Sequence, residues 1–258
     1  MVLIFFVFPV IWLIINSFKP ESELYSIPAT FTIHQPTLDN YTTAFSRGNF
    51  AVYFKNSTLI TVITVFNMIL INTASGFALA KYRFFVGRML TVYFLALVMV
   101  PMEVMMLNVF IIIKNLGLYN SLWGIIIPLS ASPVGQFIMR QYFLSLPNEL
   151  LDAARIDGAS EFFILKNIVF PIGKPAITVL AIFGFMWRWN EFIFPLIVIS
   201  TPAKYTVQLA IAIFITNPTI KWGPIIAMSI ITIIPIVVIF CFFQKQFLGG
   251  LTVGSIKE

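Results

Sequence analysis

The sequence predicts an all-α polytopic membrane protein: six transmembrane helices, with one structured polar insert after the fourth. Three observations carry this. Charged residues are 10% of the 258 and hydrophobic ones 59%, whereas a soluble domain carries about 25% charged residues. The apolar residues fall into six long segments, each near the roughly 20 residues that cross a bilayer as a helix. Between the fourth and fifth, Pro147 to Pro175 is polar yet punctuated like a pair of helices.

The segments follow in order. Residues 1–18 are apolar and interrupted by Pro9. They lack the basic start and small-residue cleavage site of a signal peptide, and read as the first span. At 1.5 Å per residue they reach roughly 27 Å, slightly short of a bilayer core. Residues 19–51 are polar, carry Pro20, Pro28 and Pro36, and read as an external loop. Asn40-Tyr41-Thr42 and Asn56-Ser57-Thr58 match glycosylation acceptors only by accident of composition. The second span covers about 54–80, and Lys81, Arg83 and Arg88 then give three positive charges in eight residues. The third covers about 89–113, with Pro101 and Glu103 inside it. A short turn leads to the fourth, about 122–144, broken by Pro128 and Pro133. The fifth runs over about 174–199 and the sixth over about 223–244, with an outer loop at 200–222 between them. The whole is one transmembrane domain, 1–258. It comprises the first helix and external loop (1–51), a five-helix core (52–245) holding the polar loop 145–173, and a tail (246–258).

An even number of spans puts the insert and the C-terminus on one side. Nine of the 16 Lys and Arg lie there, six lie opposite, and Arg188 falls within a span. The bias marks the insert side as cytoplasmic. The net charge of +6 then reflects basic residues facing anionic lipid rather than nucleic acid. One cysteine and one histidine exclude an internal disulfide and leave no basis for a His/Cys metal site. Cys241 sits in an apolar helix and reads as packing. No G-x-x-x-x-G-K-[ST] run is present, so the chain has no P-loop for nucleotide phosphates. No nucleophile–base set stands out for catalysis.

The insert has its own grammar. Asn148 is placed to cap a helix with Glu149 in its first turn, where the dipole favours an acid. Gly158 fits the position just past the helix end, where a left-handed backbone is needed. Ser160 is placed to cap a second helix from Glu161 to about Phe170, closed by Pro171. Leu150, Ala153, Ala154 and Asp157 share one side of the first helix at spacings of three and four. The small alanines there let another surface approach, with Asp152 and Arg155 beside them. An ordinary connector helix would have the same composition.

Two further features bear on function. Pro101, Pro128, Pro133, Pro195 and Pro235 each remove a helix hydrogen bond and can kink a span. Such kinks suit a bundle around a pathway, but proline is also simply commoner in membrane helices. Glu103, Arg188 and Glu191 put charge inside spans, at a cost of about 2.5–3.5 kcal/mol each on insertion scales. Arg188 and Glu191, at i and i+3, can pair on one helix face. They and Asn190 are candidates for the pathway or for an interface; a self-satisfied pair near the outer boundary is the plainer reading.

The insert carries a specific resemblance. Asp152-Ala153-Ala154, three residues, Gly158, nine residues, Ile168, one residue, Phe170-Pro171 is similar to the E-A-A, x3, G, x9, I-x-L-P signature of ABC importer permeases. Asp stands for the usual Glu and Phe for the usual Leu. Trp189-Asn190-Glu191-Phe192 and the ending from Gly250-Leu251-Thr252 to Gly254-Ser255-Ile256-Lys257 resemble the sugar-transporting, maltose-transporter type of that family. The resemblance implies the type I importer permease fold and a multi-pass protein of a bacterial or archaeal cell membrane, with a cytoplasmic C-terminus. It implies a missing cytoplasmic stub before the first helix. It also implies a second homologous permease, two ATPase subunits that bind ATP and Mg, and an extracellular solute-binding protein delivering a sugar or oligosaccharide. This chain would then be no enzyme and bind no cofactor itself.

In that family the first helix of the insert sits in a cleft on the ATPase. Carried over, Asp152, Ala153, Ala154, Arg155, Asp157, Gly158, Ile168 and Pro171 form the coupling element. Asp152 would meet a basic ATPase residue, the alanines would allow close packing, and Gly158 would supply a turn connecting rigidly to the fifth span. Gln246, Gly250, Gly254 and Lys257 would belong to a tail reaching toward the ATPase dimer. An ABC permease for another solute, and an ATP-independent transporter or channel, remain alternatives.

Overall fold

The computed structural model describes residues 2–46, 49–216 and 221–252, with side chains placed for 6–46, 49–216 and 221–244. It is helical, with no strand among the described residues. In chain order the helices are α1 (Val2–Ser17), α2 (Glu21–Leu24), α3 (Asp39–Ser46), α4 (Phe50–Lys81), α5 (Gly87–Met99), α6 (Met102–Asn115), α7 (Trp123–Leu129), α8 (Pro133–Leu144) and α9 (Glu149–Ile156). They continue with α10 (Glu161–Ile172), α11 (Lys174–Trp189), α12 (Ile193–Val198), α13 (Val207–Ile215) and α14 (Trp222–Thr252).

Among the described residues, two helices are long and apolar enough to cross a membrane unbroken: α4 and the 222–244 part of α14. At 32 residues, α4 is roughly 48 Å long, well beyond a bilayer core of about 30 Å. The bent pairs α5 with α6 and α10 with α11 would add two more if each is one span.

Proline explains where several expected spans break. The third is two helices bent by 110°. Pro101 donates no N–H and pushes Val100 into extended backbone (φ −87°, ψ 120°), so α5 stops and α6 restarts. Glu103 lies not inside a continuous helix but in the first turn of α6, where the helix dipole favours a carboxylate. The fourth breaks between Leu129 and Pro133. Pro133 opens α8, and the Ser132 hydroxyl caps it by accepting the Gly135 N–H at 3.1 Å. Pro128, by contrast, lies within α7, and Pro235 within α14. The expected fifth span ends at Trp189, and α12 is a separate short helix carrying Pro195. The helical spacing that set Arg188 and Glu191 on one face is therefore interrupted.

Two loops also differ from expectation. Residues 200–222 contain α13, whose Val207, Leu209 and Ala210 are buried. Residues 19–51 contain α2 and α3. At the C-terminal end, α14 continues to Thr252, so the expected tail from Gln246 begins within a helix. Cys241 is exposed rather than packed.

The chain divides into two compact units. In the first, Met1–Leu59 with Glu191–Ile239, a core forms around Phe50, Tyr53, Val207, Ala210 and Met228. The two asparagines that mimic glycosylation acceptors are structural ties here. Asn40 Nδ2 donates to the carbonyls of Ser17 and Lys19, both at 2.8 Å. Asn56 Nδ2 donates to those of Ala203 and Tyr205, both at 3.0 Å. In the second unit, Ile60–Asn190 with Phe240–Glu258, the core joins α4, α8, α11 and the insert through Phe77, Met139, Phe143, Leu151, Ile164, Val169 and Leu180. α4 and α8 cross closely: a Cβ on Gly76 would come within 2.7 Å of Met139 Cβ and 2.9 Å of the Arg140 nitrogen. Small residues at a crossing are how membrane helices pack without a hydrophobic driving force.

Candidate functional site

The insert folds as an elbow, α9 then α10, and its turn is set by hydrogen bonds at the end of α9. Gly158 has φ +79°. Its N–H donates to the Arg155 carbonyl, and the Ala159 N–H donates to that of Ala154, both at 3.0 Å. This is a Schellman closure, which needs a left-handed residue at the glycine position. Ala159 and Ala154 lie together against the core, the apolar contact that accompanies such a closure. The Ser160 hydroxyl then accepts the Phe163 N–H at 3.2 Å and caps α10.

Two local expectations need correction. Asn148 occupies the position before α9, but its side chain makes no cap; Oδ1 instead accepts from Lys81 Nζ at 2.9 Å. Pro171 does not close the second helix. A π-turn over Leu165–Val169 precedes it, and the helix continues to Ile172. A widened turn absorbs a misfit in the hydrogen-bond ladder such as a proline creates. The break falls at Gly173, where α11 departs at 75°. A Cβ on Gly173 would meet the Val169 carbonyl oxygen at 2.8 Å and the Phe143 ring at 3.2 Å.

Charge holds the two arms together. Arg155 Nη1 donates to Asp152 Oδ1 at 3.1 Å, and its Nε to Glu161 Oε1 at 2.9 Å. The Tyr82 hydroxyl donates to Glu161 Oε2, and the Arg155 guanidinium lies 5.5 Å from the centre of the Tyr82 ring. Hydrogen bonds from Arg155 first, then Tyr82, hold the Glu161 carboxyl below its ordinary value. The same Glu161 contact raises Arg155. Burial, then the Glu161 hydrogen bond, push Tyr82 up. Beside Tyr82, Lys81 Nζ donates to the Leu146 carbonyl at 2.5 Å as well as to Asn148. The last residue of α4 and the next one thus grip both ends of α9.

The residues named from the sequence separate into two groups. Asp152, Ala153, Arg155, Asp157 and Gly158 are exposed, as is Pro171; Ala154 and Ile168 pack against the core. Ala153 is exposed, whereas Ala154 is half-buried, one side of it against the core. The outward apolar residues are Leu150, Ile156 (87% exposed), Phe162 (73% exposed) and Phe163. Ile156 and Phe162 were not singled out from the sequence, nor was the clamp that joins Lys81 and Tyr82 to the elbow, although Glu161 was placed at the start of its second helix. An isoleucine and a phenylalanine that lie off the buried stripe of Leu151 and Ile164 were the available signal.

The structure does not gather the remaining candidates into the elbow. Glu103 is exposed at the start of α6. Asn190 Nδ2 donates to the Met186 carbonyl at 2.9 Å, closing α11. Glu191 Oε1 accepts the Phe194 N–H at 3.1 Å at the start of α12. Arg188 is in the last turn of α11, where a cation is favoured. Gln246 and Gly250 lie in the last turns of α14, their side chains outside the described part; Gly254 and Lys257 lie outside the described residues.

Residues 71–247, which include the whole elbow, match the family model described as the binding-protein-dependent transport system inner membrane component. The chain belongs to that family. It is a membrane-embedded permease component of ABC transport systems rather than an enzyme. Among similar proteins is the arabinooligosaccharides transport system permease protein AraQ of Bacillus subtilis, 37% identical, covering 100% of this chain and 92% of the relative. Another is the trehalose/maltose transport system permease protein MalG of Thermococcus litoralis, 32% identical over 97% of this chain and 91% of the relative. A bacterial ABC transporter involved in the import of the polysaccharide alginate provides a solved chain of the same fold. It matches with a TM-score of 0.86 over 95% of this chain and 91% of that one, at 20% identity.

Proposed function

We propose that this chain is one of two permease subunits of an ATP-driven importer for a sugar or oligosaccharide, and that the elbow α9–α10 is its cytoplasmic docking element for an ATPase. The relatives' names support the substrate class. The observation that carries the docking role is the exposed apolar set Leu150, Ile156, Phe162 and Phe163 on an element whose other outward residues are mostly polar. Burying an isoleucine or phenylalanine fully contributes about 1.5–3 kcal/mol, so two or three such anchors suffice for a cleft contact. The wider assembly is a six-span chain beside a homologous permease, two ATPases holding ATP and Mg, and an external solute-binding protein.

The elbow is braced to pass on movement. Its buried Leu151 and Ile164 lie in the same core as Phe77 of α4, Phe143 of α8 and Leu180 of α11, and Lys81 and Tyr82 tie it directly to α4. A displacement of α9 by the ATPase therefore reaches α4 and α8, not only the fifth span.

The test uses the assembled transporter with Cys241 replaced by serine and a cysteine at Ile156. A cysteine crosslinker is expected to join this position to the ATPase in transporting cells. Ile156→Asp is expected to lower uptake at least tenfold, with the permease still in the membrane. Absence of any ATPase adduct, together with normal uptake by Ile156→Asp, would overturn the reading.

A further inference from the structure

The turn between α4 and α5 leaves a cavity of about 540 Å³ lined by Arg83, Arg88 and Arg140, with Tyr82, Phe84 and Thr91. No hydrogen bond or ion pair from these three arginines to another group occurs among the described residues, and the Nε of Arg140 is buried without an acceptor. Arg155, one elbow away, has two carboxylates. Three like charges around one cavity repel one another, and a buried guanidinium N–H without an acceptor is costly. An anion with several acceptor oxygens relieves both, and arginine's planar fork matches phosphate best.

The cavity does not end in polar surroundings. A second hollow of about 630 Å³ shares Phe85, Arg88 and Val92 with it, and is otherwise lined by Val86, Met89, Tyr93 and Ala96. Met89, Val92, Tyr93 and Ala96 lie on one face of α5 at helical spacing. Phe85, at the mouth, is fully exposed, and Met89, Val92 and Tyr93 are exposed too. So an arginine-lined cup opens onto an apolar groove beside the end of α4, where Lys81 marks the exit from its apolar run.

We propose that the two hollows are one binding site for an anionic phospholipid. The phosphate and headgroup sit among Arg83, Arg88 and Arg140, and an acyl chain lies along Met89, Val92 and Ala96. Basic pockets at the ends of membrane helices bind such headgroups. A free phosphate shares the headgroup chemistry but leaves the groove without a purpose. The site depends on the chain being in a membrane, not on which side is cytoplasmic or on what is transported.

The test is native mass spectrometry of the assembled transporter, given phosphatidylglycerol or phosphatidylcholine at equal concentration, with and without millimolar inorganic phosphate. The wild-type complex is expected to retain phosphatidylglycerol at least tenfold more than phosphatidylcholine, and free phosphate should not displace it. Arg88→Gln with Arg140→Gln is expected to abolish the preference. Ala96→Trp, which fills the groove and leaves the arginines alone, is expected to lower retention several-fold. Equal retention of the two lipids by the wild type overturns the proposal without reliance on any variant. So does displacement by phosphate combined with indifference to Ala96→Trp, which would mark a free-anion site.

Discussion

The hydroxyl of Tyr82, one residue past the end of α4, donates to the carboxylate of Glu161, the first residue of α10. That bond spans 79 positions of sequence and makes the elbow an attachment of the second expected span as much as of the fifth. Tyr82→Phe removes the hydroxyl and keeps the ring under Arg155. Exposed charge-assisted contacts of this kind contribute about 0.2–1 kcal/mol each. Tyr82→Phe alone is expected to lower uptake modestly while ATP hydrolysis continues. Combined with Arg155→Ala, the loss should be less than the sum of the two single effects, because both residues act through Glu161. A double-mutant cycle on uptake measures this; strict additivity would mean that the three groups do not act as one clamp.

Gly158 is expected to respond to backbone strain rather than to crowding. Its φ of +79° lies in the left-handed region, and a Cβ there would meet nothing within 4 Å. Alanine should therefore cost roughly 1 kcal/mol of local stability through conformation alone. Asparagine tolerates this region better, and valine tolerates it worst. Uptake should fall in the order Gly158→Asn, Gly158→Ala, Gly158→Val, with ATP hydrolysis increasingly uncoupled from transport. An order that followed side-chain volume, with asparagine below alanine, would point to a contact with the partner instead.

The turn at Gly158 was legible in the sequence because its causes are local: a glycine after a helix, then a serine three residues before an N–H it can accept. The membrane class was legible because it rests on composition over the whole chain. The clamp was not, since Lys81 and Tyr82 lie more than 60 residues from Leu146, Asn148 and Glu161, and no spacing rule reaches that far. The break at Pro101 was half visible: a proline inside an apolar run permits either a kinked span or two helices. That Ala154 is half-buried against the core was not legible, because a helix of eight residues has two faces of small and apolar side chains and only the core decides which one it covers.

The clamp also carries a pH dependence with a defined sign. Glu161 is held below its ordinary pKa of 4.5, first by Arg155 and then by Tyr82. A carboxyl with a lowered folded value stabilises the fold when ionised, fully above its unfolded pKa, and loses that contribution as pH falls through the lowered value. The elbow should thus be unaffected at neutral pH and loosen only in acid. Hydrogen exchange of the α9 and α10 amides, corrected for intrinsic rates, reads this directly. Wild type should be better protected than Glu161→Gln at pH 7, with the difference closing as pH drops below about 4. A difference that persisted unchanged in acid would show that the carboxylate's charge is not what braces the arms.

The crossing of α4 and α8 offers a test of packing. At Gly76 the atoms that a Cβ would strike are Met139 Cβ at 2.7 Å and the backbone nitrogen of Arg140 at 2.9 Å. Neither is the flexible end of a side chain, so the helices themselves must separate. Overpacking of this kind costs about 1–3 kcal/mol. Gly184 differs, because there the obstacle is the terminal methyl of Met68, a side chain with three rotatable bonds that can swing away. Gly76→Ala is therefore expected to lower the melting temperature of the purified transporter by several degrees, and Gly184→Ala by less. The crossing also carries Phe77, Met139 and Phe143, which share a core with Leu151 and Ile164 of the elbow. Gly76→Ala should accordingly reduce coupling as well as stability, and a variant that lost neither would show that α4 and α8 can part without disturbing the elbow.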